Sequence, residues 1–286
     1  MTGPRPAVAV VTDSTAYLPP LPANGLTVVP LAVVVNGVPG LETADIDSAT
    51  VAEALSARRV AVTTSRPSPS AFSQVYRELL DDGHTAVLSV HLSAQLSGTY
   101  EAARLAAAEF DGKVAVVDTE STGMGLGFPA LAAAEAAAGG GSLEEVRSAA
   151  EAAAARTTTL FYVDTLEFLR RGGRIGAAAA LVGTALSVKP ILHTTDQGVV
   201  VREKVRTASR ALARLADIAV ESAGSSGLVD VAVHHLAAPD RADGLLTTLQ
   251  ERLGERLRGA YLTEVGAVVG AHVGPGMVAV VVHRVE

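Results

Sequence analysis

The stretch Ala86–Ala107, AVLSVHLSAQLSGTYEAARLAA, decides the fold. Its first part, Ala86 to Leu92, is apolar on both parities, the pattern of a strand covered on both faces by helices. A polar loop follows, and a helix begins at Ser97-Gly98-Thr99. A strand–loop–helix junction of this kind points free backbone N–H groups and two hydroxyls at one spot, which makes it an anion seat. Ser97 is placed to cap the helix, and Glu101 falls in the first turn, where negative charge is favoured. Capping alone accounts for Ser97; recurrence of the junction elsewhere argues for more.

That recurrence is plain along the first half of the chain. Val8 to Val11 runs into Thr12-Asp13-Ser14-Thr15, and Val60 to Val62 into Thr63-Thr64-Ser65-Arg66-Pro67-Ser68. Val114 to Val117 runs into Asp118-Thr119-Glu120-Ser121-Thr122, followed by Gly123, Gly125 and Gly127. Open α/β sheets place ligands at the carboxyl ends of their parallel strands, so these loops predict a polar site along one sheet edge.

Up to about Arg156 the elements alternate, with helices expected at Ser48–Ala57, Ser70–Asp82, Gly98–Phe110, Ala130–Ala138 and Leu143–Arg156. Alternation implies a parallel sheet with helices on both faces. Asn36-Gly37 between valine-rich runs signals a hairpin decorating this domain. After Thr157 the order mixes: strands at Leu160–Val163, Val188–His193, Val199–Val205, Val229–His234 and Val278–Val285, with helices at Leu166–Arg170, Ala177–Leu186, Ala208–Val220 and Arg241–Leu253. The expected architecture is α/β in two domains: a three-layer α/β/α domain with a parallel sheet over residues 1–157, and a two-layer domain with a mixed sheet over 158–286.

Composition sets the surroundings. Of 286 residues, 49% are hydrophobic and 19% charged, which excludes a disordered class. Cysteine is absent, removing disulfides and thiolate chemistry together. A net charge of -7 and sparse aromatics argue against nucleic acid as a partner. No secretory signal precedes the first strand and no apolar run reaches membrane-spanning length, so a soluble cytoplasmic protein is expected.

Among candidate groups, Thr63, Thr64 and Ser65 end a strand and start a helix, a role that does not require three adjacent hydroxyls. His272, in Gly270-Ala271-His272-Val273-Gly274-Pro275-Gly276, is expected in a glycine-rich loop where backbone approaches a ligand closely. Arg206 ends a strand and reads equally as a solvated cation or a functional one. The run Arg170-Arg171-Gly172-Gly173-Arg174 is a helix C-cap, to which an anionic partner can be added. No phosphate-binding P-loop is present, and Gly123-x-Gly125-x-Gly127 lacks dinucleotide-fingerprint spacing. His234-His235, adjacent on a strand, face opposite ways and cannot chelate one metal. No nucleophile elbow appears, nor an acid paired with His272. No cofactor and no metal site are expected.

Taken together, Val10-Val11-Thr12-Asp13-Ser14-Thr15, Thr63-Thr64-Ser65-Arg66-Pro67-Ser68, Leu96-Ser97-Gly98-Thr99-Tyr100, Gly172-Gly173-Arg174-Ile175, Lys189-Pro190-Ile191-Leu192 and His272-Val273-Gly274-Pro275-Gly276 resemble the DegV family, in its order and across nearly the whole chain. The resemblance implies a fold shared with dihydroxyacetone kinase substrate domains and a protein that binds a long-chain fatty acid, with the tail buried and the carboxylate at an interdomain cleft. It implies presentation of that acid to a fatty acid kinase catalytic subunit for conversion to acyl phosphate, feeding phospholipid synthesis, with transient contact at a membrane surface and no catalytic group of its own. Carried over by motif, Thr64, Ser97 and His272 match carboxylate-binding positions. Ser65 and Gly98 are further candidates for the ligand site or for contact with the kinase, and Arg174 and Arg206 match basic positions tied to phosphoryl transfer or kinase docking. Arg66 stands where the family commonly has Gln, and Ala94 replaces the second residue of a frequent Ser-Ser pair.

Physics supports the division of labour. Burying a sixteen-carbon chain is worth on the order of 10 kcal/mol gross at ~0.8 kcal/mol per methylene, so the tail supplies affinity and the polar groups need only fix the carboxylate. The small side chains of Ala177–Leu186 suit a tunnel wall, and tight helix packing explains them equally. The alternative function is an enzyme or kinase substrate subunit acting on a small polar molecule, as in the dihydroxyacetone kinase relatives.

Overall fold

In chain order the strands are β1 (Val8–Asp13), β2 (Leu26–Val29), β3 (Ala32–Val35), β4 (Val38–Leu41), β5 (Val62–Ser65), β6 (Ala86–His91), β7 (Val114–Asp118), β8 (Thr157–Tyr162), β9 (Lys189–Thr195), β10 (Gly198–Val205), β11 (Val229–His235), β12 (Leu257–Glu264) and β13 (Val278–Arg284). The helices are α1 (Ser48–Ser56), α2 (Pro69–Asp81), α3 (Thr99–Ala107), α4 (Met124–Ala138), α5 (Leu143–Ala155), α6 (Glu167–Arg171), α7 (Ala208–Ser222), α8 (Pro239–Leu253) and α9 (Ala267–Val273). This computed structural model describes residues 6–19, 25–57, 61–181 and 189–285. The chain divides into two units, Met1–Leu31 with Ser65–Ala155 and Ala32–Thr64 with Arg156–Glu286.

The first unit is built on a parallel sheet of order β2-β1-β6-β7. Every residue of β1 and β6 is buried, as continuous apolar runs require. Val11 and Val87 pack on one face against Phe72 and Tyr76 of α2 and Ala102 and Ala106 of α3. Val10, Leu88 and Val90 pack on the other against Leu126 and Ala130 of α4 and Val146 and Ala150 of α5. The result is the expected α/β/α layering. Ser68 caps α2 by accepting from the Ala71 amide at 3.2 Å, with Pro69 in the first turn.

One helix begins well before its expected start. α4 opens at Met124 and takes in Gly125 and Gly127, which the sequence reading placed in a loop before Ala130. A Cβ on Gly127 would lie 2.6 Å from Met124 Sδ and 3.1 Å from the Ala16 carbonyl. Glycine is therefore used for close approach of the helix to the turn after β1, and not for chain reversal.

The second unit carries a mixed sheet of order β10-β9-β8-β13-β11-β12, antiparallel except for the β11–β12 pair. One face is covered by α7 and α8, whose Ala211, Leu215, Ile218, Leu245 and Leu249 meet Leu160, Val231, Val233 and Val280. A smaller sheet of order β4-β3-β5 belongs to the same unit except for Ser65, the last residue of β5. Its hairpin turns at Asn36 and Gly37, with φ of 52° and 83°, as the Asn-Gly signal predicts.

Beside the expected cut at 157, residues 32–64 group with the later part of the chain. The physical reason is α9, a helix the sequence reading did not include. Val51 of α1 lies 3.8 Å from where a Cβ on Gly270 would stand, and buried Glu42 accepts a hydrogen bond from the Val268 amide at 2.8 Å. The hairpin segment is thus part of the setting of α9, and not a decoration of the first domain. The edge strands β2 and β12 were also not anticipated; both are partly exposed and carry weak patterns. The expected helix Ala177–Leu186 is a 3-10 turn over Gly176–Leu181, and residues 182–186, like Val60 and Val188, lie outside the described residues.

Candidate functional site

Thr64 lies near the end of β5, and its Oγ1 is 2.8 Å from Nε2 of His272. The two residues are 208 positions apart in sequence and both belong to the second unit. His272 sits in the last turn of α9, which corrects its expected place in a loop. The glycines around it serve the helix: Gly270 is buried against Leu236, and Gly274, with φ 74°, stands just past the last turn, where that backbone is commonly needed.

A third glycine shapes the imidazole's surroundings. A Cβ on Gly172 would fall 2.1 Å from His272 Nδ1, so only glycine lets the turn after α6 lie on the ring. Arg174 folds back over this turn, donating from Nη1 to the Gly172 carbonyl at 2.5 Å. Burial, aided by the Arg174 charge, pushes the His272 pKa down to about 4. The ring is neutral at pH 7. In the tautomer with a proton on Nε2, the imidazole donates to Thr64 Oγ1 and leaves the threonine's own proton free to donate to an anion.

Ser97 belongs to the first unit. The structure corrects its expected role as N-cap by one residue: α3 starts at Thr99, Gly98 occupies the cap position, and no side chain caps there. Ser97 Oγ instead accepts from the Thr99 amide at 3.3 Å and lies 2.8 Å from Thr99 Oγ1. The Ser65 hydroxyl is exposed and makes a weak contact of 3.4 Å with the Arg66 carbonyl. Where the family pair would place a second serine, the Ala94 amide donates to Asp118 Oδ2 at 3.1 Å.

Of the basic positions, Arg170 and Arg171 both pair with Glu167, which favours the helix-terminus reading of that run. Arg206 follows β10, is exposed, and makes no hydrogen bond or ion pair among the described residues. His234 is buried with Nδ1 2.8 Å from Thr263 Oγ1, and no group of His, Asp and Glu that could hold a metal occurs among the described residues. No helix among them is long and apolar enough to cross a membrane.

The sequence reading missed a buried polar chain in the first unit. Tyr76 OH donates to Ser89 Oγ at 2.8 Å, Ser89 lies 2.6 Å from His91 Nε2, and His91 Nδ1 lies 2.9 Å from Asp13 Oδ2. The Asp13 carboxylate also accepts from the Leu92 amide and from Thr15 N and Oγ1. Tyr76, Ser89, His91, Asp13 and Thr15 are all fully buried. A Ser–His–Asp order with no exposed member has no route to a substrate. It ties together the carboxyl ends of β1 and β6, the point where strand order reverses and where open sheets take ligands. Ser89 and His91 share one parity of an otherwise apolar strand, a signal by which the chain of groups was detectable.

Comparison with known proteins gives a consistent result. A family model described as "Uncharacterised protein, DegV family" matches residues 7–285. A DegV domain-containing protein of Streptomyces coelicolor is 53% identical over 277 residues, covering 96% of this chain and 98% of that one. Another from Deinococcus radiodurans is 38% identical over 276 residues, covering 96% and 97%. Among solved structures, a fatty-acid-binding DegV family protein from Thermus thermophilus superposes with a TM-score of 0.91 at 34% identity, covering 97% of this chain and 99% of that chain. DegV from Bacillus subtilis, described as a fatty acid binding protein, gives 0.87 at 32% identity with the same coverage.

Proposed function

Because the chain belongs to the DegV family, we propose that it binds a long-chain fatty acid whose carboxylate is held by the Thr64–His272 pair; Ser97 is a further carboxylate-binding candidate. The observation that carries this reading is the 2.8 Å contact between the Thr64 hydroxyl and a buried, neutral imidazole. A hydroxyl oriented by a neutral ring can donate to an anion, while the apolar tail supplies most of the affinity. Ser65 and Gly98 extend the polar surroundings of the head group in this reading. The solved relatives from Thermus thermophilus and Bacillus subtilis, both described as fatty acid binding, support the ligand class.

In this proposal the protein is a cytoplasmic carrier with no catalytic group of its own, presenting the acid to a fatty acid kinase that forms acyl phosphate for phospholipid synthesis. Arg206, exposed and unpaired among the described residues, and Arg174 serve that encounter. Native mass spectrometry of protein purified from cells tests the ligand: a co-purifying mass matching a fatty acid supports the carrier, and a small polar metabolite supports an enzyme-like substrate subunit instead. Arg206→Ala tests the presentation step. Fatty-acid binding stays intact while acyl-phosphate formation with the kinase collapses; loss of both together would move Arg206 into the head-group site.

A further inference from the structure

Arg66 holds its guanidinium directly on Gly98. A Cβ on that glycine would lie 2.0 Å from Arg66 Nη1, 2.9 Å from Cδ and 3.0 Å from Cζ. Both residues belong to the first unit, and Gly98 adjoins Ser97. The one hydrogen bond Arg66 makes among the described residues is a long one, from Nη1 to the Gly98 carbonyl at 3.4 Å. No carboxylate among the described residues is bonded to it. The nearest acid along the helix, Glu101, is already held by Arg104 through two bonds of 2.8 Å. Arg66 nevertheless contributes to holding the Glu101 carboxyl below its ordinary pKa, after the larger effect of Arg104, so its charge is felt across the first turn of α3. Pro67 restricts Arg66 to extended backbone, which narrows the directions the side chain can take.

We propose that Arg66 selects for charge in the head group: its unneutralised guanidinium, seated on Gly98 beside Ser97, makes the protein discriminate a fatty carboxylate from an uncharged lipid of the same chain length. The inference rests on the proposed fatty-acid binding and adds to it a residue outside the hydroxyl and imidazole set. A guanidinium presents five donors and keeps its charge at every working pH, so an anion beside it gains a charge-assisted interaction that an alcohol cannot. Gly98 acquires a second duty, since any side chain there displaces the guanidinium.

Isothermal titration with hexadecanoic acid and with hexadecan-1-ol tests this on the wild type, Arg66→Gln, Gly98→Ala and the double variant. Arg66→Gln weakens acid binding about tenfold at low salt and less at high salt, leaving alcohol binding unchanged. Gly98→Ala gives the same selective loss, and adding it to Arg66→Gln costs nothing further. Thermal unfolding of Arg66→Gln stays at the wild-type value, because the side chain is exposed. Unchanged acid affinity in Arg66→Gln, or equal losses for acid and alcohol, overturns the inference while leaving fatty-acid binding intact. Absence of acid binding by the wild type overturns the proposed function itself.

Discussion

Each unit carries a histidine joined to a hydroxyl, and the two are used in opposite ways. In the first unit His91 has both ring nitrogens engaged, by Asp13 and by Ser89, and Phe72 packs T-shaped with the ring, centroids 5.0 Å apart. In the second, His272 makes one hydrogen bond among the described residues, to Thr64, and its other ring nitrogen faces the bare Cα of Gly172. A saturated buried network rigidifies; a pair with bonding capacity left over can take a ligand. Satisfaction, more than residue type, separates the structural histidine from the proposed binding one.

The strongest way to break this contrast is to empty the saturated network. Asp13→Ala removes a carboxylate that accepts from His91, Leu92 and Thr15, leaving buried donors unpaired. A loss of roughly 3 to 5 kcal/mol in urea unfolding is expected. A loss below about 1 kcal/mol would mean that the network does not hold the fold.

Acid should act on the second unit through its buried neutral rings. Burial pushes both His234 and His272 down to about 4, against about 6.5 in an unfolded chain. The unfolded state therefore binds more protons between those values, and stability falls as pH drops from about 6.5 to 4, by on the order of 3 kcal/mol for each ring. His272→Asn should remove its share of that slope in urea unfolding measured across pH, and an unaltered slope would contradict the burial argument.

Ser97→Ala should reverse the Asp13 pattern, with little change in stability and a marked change in binding, whereas Thr64→Val also leaves the buried His272 imidazole unpaired and costs roughly 1 to 3 kcal/mol of stability. Each removes one charge-assisted hydrogen bond worth roughly 1.5 to 3 kcal/mol, and so weakens fatty-acid binding about tenfold or more. Displacement of a fluorescent fatty acid measures it. Unchanged affinity with unchanged stability would leave Ser97 as only a local brace for the start of α3.

Much of this was legible because strand ends and helix starts carry strong local chemistry. The junction from Ala86 to Ala107 held in the structure, with the strand ending at His91 and the helix starting at Thr99. Motif reading singled out Thr64 and His272 separately, and the fold brings them to 2.8 Å. What stayed hidden were effects of distant contact. α9 is seven residues long with a glycine inside it, too short and too irregular to show a helical period, and it exists by packing on α1 and by the buried cap from Glu42. The same contact reassigns residues 32–64, which no local pattern ties to the end of the chain.

The smallest expected effect sharpens that point. Glu42→Gln keeps an acceptor for the Val268 amide and removes the negative charge from the start of α9. A cost of about 0.3 to 1 kcal/mol is expected in urea unfolding, with fatty-acid affinity changed less than twofold. A larger drop in affinity than in stability would make the cap part of how His272 is aimed.

Carboxylate binding at the Thr64–His272 pair is tested most directly by following the His272 ring through nitrogen NMR across pH, in free protein and with saturating fatty acid. Free, the ring should stay neutral above pH 5 and take up its proton near 4. A bound carboxylate within about 4 to 6 Å favours the imidazolium and raises that midpoint, while the uncharged alcohol of the same chain does not. A midpoint that fatty acid leaves unmoved would contradict the assignment of the carboxylate to this pair.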